Sequence, residues 1–142
     1  MTFFIRSASR ADLPALLEIE RQSFAHEHWD AESFLTYDCM VAEVKNTIAG
    51  FLVSRQTFAG GKDAPAEREI LNLAVAPAFR RKGVATALLQ EELARGGVHF
   101  LEVRESNRAA LALYGKIGFV RAGRRVDYYR SPVEAAIVMK MK

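Results

Sequence analysis

The sequence of 142 residues has little cysteine, proline or tryptophan, with one, four and one of each, and it contains no long apolar run. A single thiol excludes an internal disulfide, argues against a metal cluster and fits a reducing compartment. Because Cys39 lies in an apolar segment with strand character, we interpret it as a buried thiol and not as a nucleophile. The apolar stretch at the N-terminus is too short for a signal peptide, and no stretch is long enough to span a membrane. We expect a soluble, cytoplasmic protein with no membrane partner.

The charges of the two signs are nearly balanced, since 20 lysines and arginines face 17 acidic residues and leave a net charge of +3. The basic clusters Arg80-Arg81-Lys82 and Arg124-Arg125 are too short to form a nucleic-acid-binding tail. The spacing of His26, His28 and His99 matches no metal site. We therefore predict no direct nucleic-acid partner and no metal, although a mildly basic chain permits an anionic ligand.

Hydrophobic residues make up 50% of the chain and charged residues 26%, which is the balance of a globular protein. The length suits one domain covering residues 1–142. Helical periodicity and capping residues predict helices over 10–24, 30–37, 83–95 and 107–117. Apolar runs bounded by turn residues predict strands over 3–6, 39–44, 48–57, 67–75, 98–103, 119–129 and 135–141. The order of these elements predicts a mixed α/β fold.

A short basic loop connects a predicted strand to a predicted helix within residues 72–87. The strand is interrupted at Pro77, and Arg80-Arg81-Lys82 and Gly83 precede the helix. Free N–H groups at a helix start, with positive charge nearby, suit a diphosphate, and glycine allows the backbone to approach a ligand closely. The Gly-Lys-Ser/Thr ending of a Walker loop and the first glycine of the dinucleotide fingerprint are both missing. Alone, this segment is equally compatible with an ordinary basic loop.

A carboxylate, Glu102, interrupts an apolar predicted strand. Burying a carboxylate is costly unless it is paired or protonated, and desolvation would raise its pKa, as a general base at neutral pH requires. The alternative is a salt bridge with Arg104 or Arg6, or an edge position that faces water.

The helix predicted over 107–117 carries an amide at its start and a phenol two turns further along. Asn107 would cap the helix, or its amide would reach a ligand that crosses the helix start. Tyr114 shares a face with apolar residues, where tyrosine is more often part of the core. Its phenol would alternatively donate a proton to a leaving group.

Together these segments resemble the Gcn5-related N-acetyltransferase (GNAT) superfamily. Residues 80–85 fit the superfamily's pyrophosphate motif Gln/Arg-x-x-Gly-x-Gly/Ala, and residues 107–119 match its signature Asn-x-x-Ala-x-x-Leu-Tyr-x-x-x-Gly-Phe. The segments 70–77, 101–107 and 127–129 resemble more specifically the RimI type, the bacterial ribosomal-protein-alanine N-acetyltransferases. The resemblance implies the GNAT fold, a mixed and mostly antiparallel central sheet of six to seven strands flanked by about four helices.

The resemblance also implies roles for individual residues. Glu102 would be the general base and Tyr114 the general acid in direct transfer from acetyl-CoA to an N-terminal alanine of a small-subunit ribosomal protein. The residues that match the donor site are Leu73, Ala74, Val75, Arg80, Arg81, Lys82, Gly83, Val84, Ala85, Thr86 and Asn107. Trp29, Tyr128 and Tyr129 would either shape an acceptor groove or belong to the core. Other functions that stay open are acetylation of other protein N-termini or of a small amine, and a non-catalytic acyl-CoA-binding module.

Three departures from the family pattern lie around the acceptor side of the predicted site and the helix end, and not at the donor site. The helix after Gly83 is about one turn shorter than usual and ends early, at Gly96-Gly97. His28 precedes Trp29 where the family commonly has proline, and residues 130–134 form a short connection. These departures leave the predicted donor site intact.

Overall fold

The structure is a computed structural model that describes residues 2–24 and 29–142. In that part of the chain it has seven strands and four α-helices, as well as 3-10 helices at Arg10–Asp12 and Pro77–Phe79. The strands are β1 (Phe4–Ser7), β2 (Asp38–Val44), β3 (Thr47–Phe58), β4 (Glu67–Val75), β5 (Val98–Arg104), β6 (Val120–Arg130) and β7 (Val133–Met141). The helices are α1 (Leu13–Ser23), α2 (Ala31–Thr36), α3 (Val84–Leu93) and α4 (Arg108–Ile117).

The strand order is β1-β2-β3-β4-β5-β7-β6. Antiparallel pairing joins β1 to β2, β2 to β3, β5 to β7 and β6 to β7, whereas β4 and β5 are parallel. The chain between β4 and β5 includes α3, as a parallel connection requires a crossover segment. The predicted mixed, mostly antiparallel sheet is confirmed.

Contacts divide the chain into two compact units. The first extends from the N-terminal part of the chain to Arg55 and includes Leu71–Arg95, and the second comprises Gln56–Ile70 and Gly96–Lys142. The residues of β4 are therefore shared, with the first four in the second unit and the last five in the first. The assignment of one domain to residues 1–142 stays a prediction.

The first unit buries an apolar cluster beneath α1 and α2. Phe34 of α2 packs edge-on against Phe51 of β3, with ring centroids 5.1 Å apart. The other members of the cluster are Leu13, Leu16, Ile19, Val41, Val53 and Ala74. Full burial of each large apolar side chain contributes about 1.5–3 kcal/mol relative to exposure, so this cluster fixes the helices on the sheet.

The turn between β2 and β3 has the backbone conformation that its sequence predicts. Lys45 and Asn46 have φ values of 47° and 67°, which are typical of a two-residue hairpin turn. Asn46 adopts this left-handed conformation more easily than most residues because its short polar side chain hydrogen-bonds locally.

Within the second unit, buried and partly buried side chains alternate strictly along β5. Leu101 and Val103 are buried, whereas Glu102 between them is only partly buried and lies on the opposite face. The start of α4 is capped by Asn107, whose Oδ1 accepts from the N–H of Ala110 at 3.1 Å. Gly118, with φ of 128°, ends the helix. The predicted end of this helix at Ile117 is confirmed, and the helix begins one residue later than predicted, at Arg108, because Asn107 is its cap.

Candidate active site

One candidate site, within the first unit, is the loop between β4 and α3. Arg81 and Gly83 both have left-handed backbone conformations, with φ of 61° and 84°. No side chain caps α3, and its first backbone hydrogen bond runs from the N–H of Ala87 to the carbonyl of Gly83 at 3.0 Å. The N–H groups of the first turn precede that bond and have no acceptor within the helix. They are therefore available to an anion, and a phosphate suits such a helix start.

The predicted donor-site residues of this loop divide into those that offer side chains and those that offer only backbone. Arg81, Lys82 and Gly83 are exposed, whereas the side chains of Ala74 and Val84 are buried in the core. A Cβ atom at Gly83 would meet nothing within 4 Å, so the protein leaves open space beside this backbone. Leu73, Val75, Ala85 and Thr86 are partly buried. The loop therefore combines exposed cations with unencumbered main-chain donors.

Arg80 differs from the neighbouring cations because its guanidinium is bound by the protein. Its Nε donates to the carbonyl of Val75 at 3.0 Å, and a terminal nitrogen donates to Ser23 Oγ at 3.4 Å. This side chain connects the loop to the end of β4 and to α1. Its geometry suits a residue that positions the loop.

The sequence analysis did not predict two contacts in the first unit that hold β4 in place. At Gly50, a Cβ atom would lie 2.8 Å from the carbonyl oxygen of Ala74, so only glycine permits this approach of β3 to β4. The buried Glu20 accepts from Asn72 Nδ2 at 2.9 and 3.1 Å, which fixes the residue before Leu73. The available signals were a glycine inside a predicted strand and an acid on the apolar face of a predicted helix.

A second candidate site, within the second unit, centres on Glu102. Its side chain is 17% exposed and its Oε1 lies 3.8 Å from Nε of Arg125, a side chain that is 59% exposed. Its other oxygen, Oε2, is buried and has no hydrogen-bond partner within the described residues. Since most buried polar atoms are paired, this oxygen is a natural acceptor for a ligand N–H.

The salt-bridge partners that the sequence analysis offered for Glu102 are wrong. Arg104 pairs with Glu134 at 3.2 Å, and Arg6 pairs with Asp12 at 2.8 Å. Arg104 is on β5 itself and shares a face with Glu102, two residues earlier, but its ion pair is with the start of β7. The ion pair of Glu102 instead involves β6, a strand distant in sequence.

A cavity of about 190 Å³ opens beside Glu102 within the second unit. Its walls combine two acids, one base, one hydroxyl and three apolar side chains, from Thr57, Glu69, Phe100, Leu101, Glu102, Arg125 and Val138. The space suits a small polar group, because about 15 Å³ of such space is enough to hold one water molecule.

Tyr114 is 9% exposed, and its ring packs against Phe119 with centroids 5.7 Å apart. Burial, and then the charge of Tyr129, raise the pKa of its phenol to about 12. The hydroxyl therefore stays protonated throughout the neutral range and can donate a proton or a hydrogen bond. Asn107 uses Oδ1 for the cap of α4, so its Nδ2 is the group that it could offer to a ligand.

The three aromatic residues proposed for an acceptor groove differ in their surroundings. Trp29 contacts Phe34 and Tyr37, with ring centroids 5.5 and 5.9 Å apart, and packs against the core cluster of the first unit. Tyr128 and Tyr129 contact each other at 5.1 Å. The guanidinium carbons of Arg125 and Arg104 lie 5.4 Å from the Tyr128 ring and 4.3 Å from the Tyr129 ring, respectively. Burial, and then the charge of Glu102, raise the pKa of both phenols.

The remaining residues that the sequence analysis considered are the single cysteine and the three histidines. Cys39 is half-buried on β2, and burial raises the pKa of its thiol to about 12. No group of three possible metal ligands occurs among the described residues. His99 is buried on β5, whereas His26 and His28 lie outside the described residues. No helix in the described ranges has the length and apolar character needed to cross a membrane.

An uncapped helix start beside exposed cations, and a carboxylate lining a small cavity, are features of an enzyme that transfers a group from an anionic donor. The model of the Acetyltransferase (GNAT) family matches residues 5–119. The chain therefore belongs to the GNAT family of acetyltransferases.

Two relatives that are similar over nearly the whole chain are named as N-terminal acetyltransferases. N-alpha-acetyltransferase RimI of Mycobacterium tuberculosis is 36% identical over 146 residues, which cover 96% of this chain and 90% of that protein. The [ribosomal protein bS18]-alanine N-acetyltransferase of Escherichia coli is 33% identical over 149 residues, with coverages of 96% and 95%.

Solved structures share the fold. The ribosomal-protein-S18-alanine N-acetyltransferase from Escherichia coli has a TM-score of 0.82 at 32% identity and covers 99% of this chain and 93% of its own. Arabidopsis thaliana NAA60, solved in complex with acetyl-CoA, has a TM-score of 0.87 at 20% identity, with coverages of 99% and 99%, which shows the common fold.

Proposed function

We propose that this protein transfers the acetyl group of acetyl-CoA directly to the N-terminal alanine of a small-subunit ribosomal protein in the cytoplasm. The observation that carries the proposal is Glu102, which presents a buried, unpartnered oxygen beside a cavity of about 190 Å³. The name of the relative at 36% identity supports N-terminal acetylation, and the name of the relative at 33% identity supports the alanine of a ribosomal protein as the acceptor. The family motifs and the roles that they imply assign the chemistry to Glu102 and Tyr114.

The donor would bind at the loop between β4 and α3. Its diphosphate would accept hydrogen bonds from the first-turn N–H groups of α3, with Arg81 and Lys82 as exposed cations nearby. The ladder between β4 and β5 covers the pairs from Glu67↔Val98 to Ile70↔Leu101, and Leu73–Val75 lie beyond it. We propose that these residues offer backbone groups to the donor arm and an N–H to the oxyanion that develops on the thioester.

The acceptor would enter as an ammonium group, because an α-amino group has a pKa of roughly 7.7–8.0. Only the neutral amine attacks a thioester, so one proton must be lost before the carbon–nitrogen bond forms. Glu102 would accept that proton directly or through water, and its unpartnered Oε2 is the atom suited to this task.

Collapse of the tetrahedral intermediate breaks the carbon–sulfur bond and leaves a CoA thiolate. Of the two protons that the ammonium nitrogen loses overall, one goes to Glu102 and the other ends on sulfur. Tyr114 would donate to that sulfur and regain a proton from the nitrogen side. Since its pKa is raised to about 12, its strongest contribution is a hydrogen bond to the developing thiolate.

The test is release of free CoA from acetyl-CoA with a panel of acceptors. The panel contains a ribosomal peptide with an N-terminal alanine, the same peptide with other first residues, and small amines. We expect the highest kcat/KM with the alanine peptide. Preference for other N-termini or for a small amine would correct the acceptor, and tight acetyl-CoA binding without turnover would support a non-catalytic module.

A further inference from the structure

The cavity of the second unit contains a second carboxylate, Glu69, in addition to Glu102. Glu69 lies on β4 opposite Phe100 of β5 in a parallel register. Glu102 is two residues beyond Phe100, so both acids project from the same face of the sheet. Strand spacing and rise place their Cα atoms about 8 Å apart, which is within reach of a single bound group for two glutamate side chains.

The side chains that line the cavity include more acids than bases. They are the two carboxylates of Glu69 and Glu102 and the one guanidinium of Arg125. The nearest atoms of Arg125 and Glu102 are 3.8 Å apart, which is longer than a good hydrogen bond. The Tyr128 phenol is exposed to the fields of both acids, since the charges of Glu102 and Glu69 each raise its pKa.

We propose that Glu69 is an acceptor-binding residue that holds the positively charged N-terminal amine of the peptide beside Glu102. The inference rests on the proposed function and adds to it a residue for which the family motifs give no role. Glu69 would accept a hydrogen bond from the ammonium group, while Glu102 accepts the proton that is lost before attack. Of the two carboxylates on this face, one would bind the amine and the other would accept its proton.

The assignment also bears on which amines the site accepts. An ammonium group offers a positive charge to the two carboxylates, whereas an acetylated N-terminus has no charge to offer. The product is therefore bound less tightly than the substrate, which favours release after transfer. The volume of about 190 Å³ leaves room for a small first residue around the ammonium group.

The experiment compares the variants Glu69→Gln, Glu69→Asp and Glu67→Gln in the full chain. Glu67 is on the same strand and the same face, two residues away from Glu69, but it is not part of the cavity wall. This control removes the same charge close by without touching the proposed contact. Steady-state rates are measured with acetyl-CoA and an alanine-starting peptide, and inhibition constants are measured with the N-acetylated form of that peptide.

For Glu69→Gln we expect the KM of the peptide to rise about tenfold, because a charge-assisted hydrogen bond is replaced by a neutral one. The KM of acetyl-CoA and the inhibition constant of the acetylated peptide should change less than twofold. Glu69→Asp should restore part of the peptide affinity, and Glu67→Gln should resemble the wild type.

Two results would overturn the inference while leaving the proposed function standing. One is an unchanged peptide KM in Glu69→Gln, and the other is equal weakening of the amine peptide and its acetylated form. Failure of the wild-type protein to acetylate any peptide would instead refute the proposed function. An acetyl-CoA KM that stays normal in each variant shows that the fold is intact.

Discussion

Replacement of Gly83 by glutamate tests the location of the donor site, and the chain contains a matched control. Gly83 and Gly96 both have φ of 84°, and a Cβ atom at either position would meet nothing within 4 Å. A side chain therefore introduces the same left-handed strain at both, about 1 kcal/mol or somewhat more. The two glycines flank opposite ends of α3, which is about 15 Å long.

The variants should differ in donor affinity and not in folding. A carboxylate about 4 Å from one phosphate charge costs about 1 kcal/mol at the dielectric constant of water and about 4 kcal/mol at an effective value of 20. A diphosphate carries more than one charge, and the new side chain of Gly83→Glu would occupy space assigned to the ligand. We expect acetyl-CoA binding to weaken at least about 100-fold in this variant and less than about twofold in Gly96→Glu.

Isothermal titration calorimetry with acetyl-CoA measures both affinities, and thermal unfolding confirms that the two variants lose similar stability. Equal acetyl-CoA affinity in Gly83→Glu and the wild type would refute the placement of the diphosphate at the start of α3. Equal loss in both variants would show that strain, and not the ligand, is responsible.

Three further predictions concern the chemistry and the stability of the first unit. Tyr114→Phe removes the proton donor but keeps the ring that packs on Phe119, so kcat should fall about 10- to 100-fold with an unchanged KM for acetyl-CoA; equal turnover in rapid-mixing assays would exclude its role. Glu102→Gln should lower kcat/KM about 10²- to 10⁴-fold at pH 7 and less above pH 8, where the amine is neutral without a base; a pH profile parallel to that of the wild type would contradict this. The Arg6 guanidinium holds the pKa of Asp12 at about 2, below its ordinary 3.8, so this pair stabilises the fold above pH 4 by about 2 kcal/mol and the contribution is lost as pH falls toward 2. Urea unfolding at pH 7 and pH 3 should show that Asp12→Asn loses less unfolding free energy on acidification than the wild type does. An equal loss in both proteins would show that the Arg6–Asp12 pair does not contribute to stability.

Local sequence signals were sufficient for most of the fold. The predicted strand over 67–75 coincides with β4, and Asn107 and Gly118 set the start and end of α4 because capping depends on residues close in sequence. The family motifs predicted a mostly antiparallel sheet of six to seven strands, and the structure has seven.

The sequence could not predict contacts that depend on the registers of several strands. Arg125 reaches Glu102 because β5 pairs with β7 and β7 pairs with β6, and β6 has an irregularity between Arg121 and Gly123, before Arg125. Each such bulge shifts every later side chain along the strand, so the partner of Glu102 follows from the tertiary structure. The roles of individual site residues rest on the resemblance and stay predictions.

The bonding of Arg80 has a consequence for how a donor would arrive. Its guanidinium donates to a carbonyl and a hydroxyl, which are neutral, so its full positive charge remains in the loop although the side chain is immobilised. A fixed, uncompensated charge attracts an approaching polyanion over roughly a Debye length, about 8 Å in physiological salt. Arg80 would thus increase the rate of capture more than the residence time, whereas contacts made after docking would determine how slowly the donor departs.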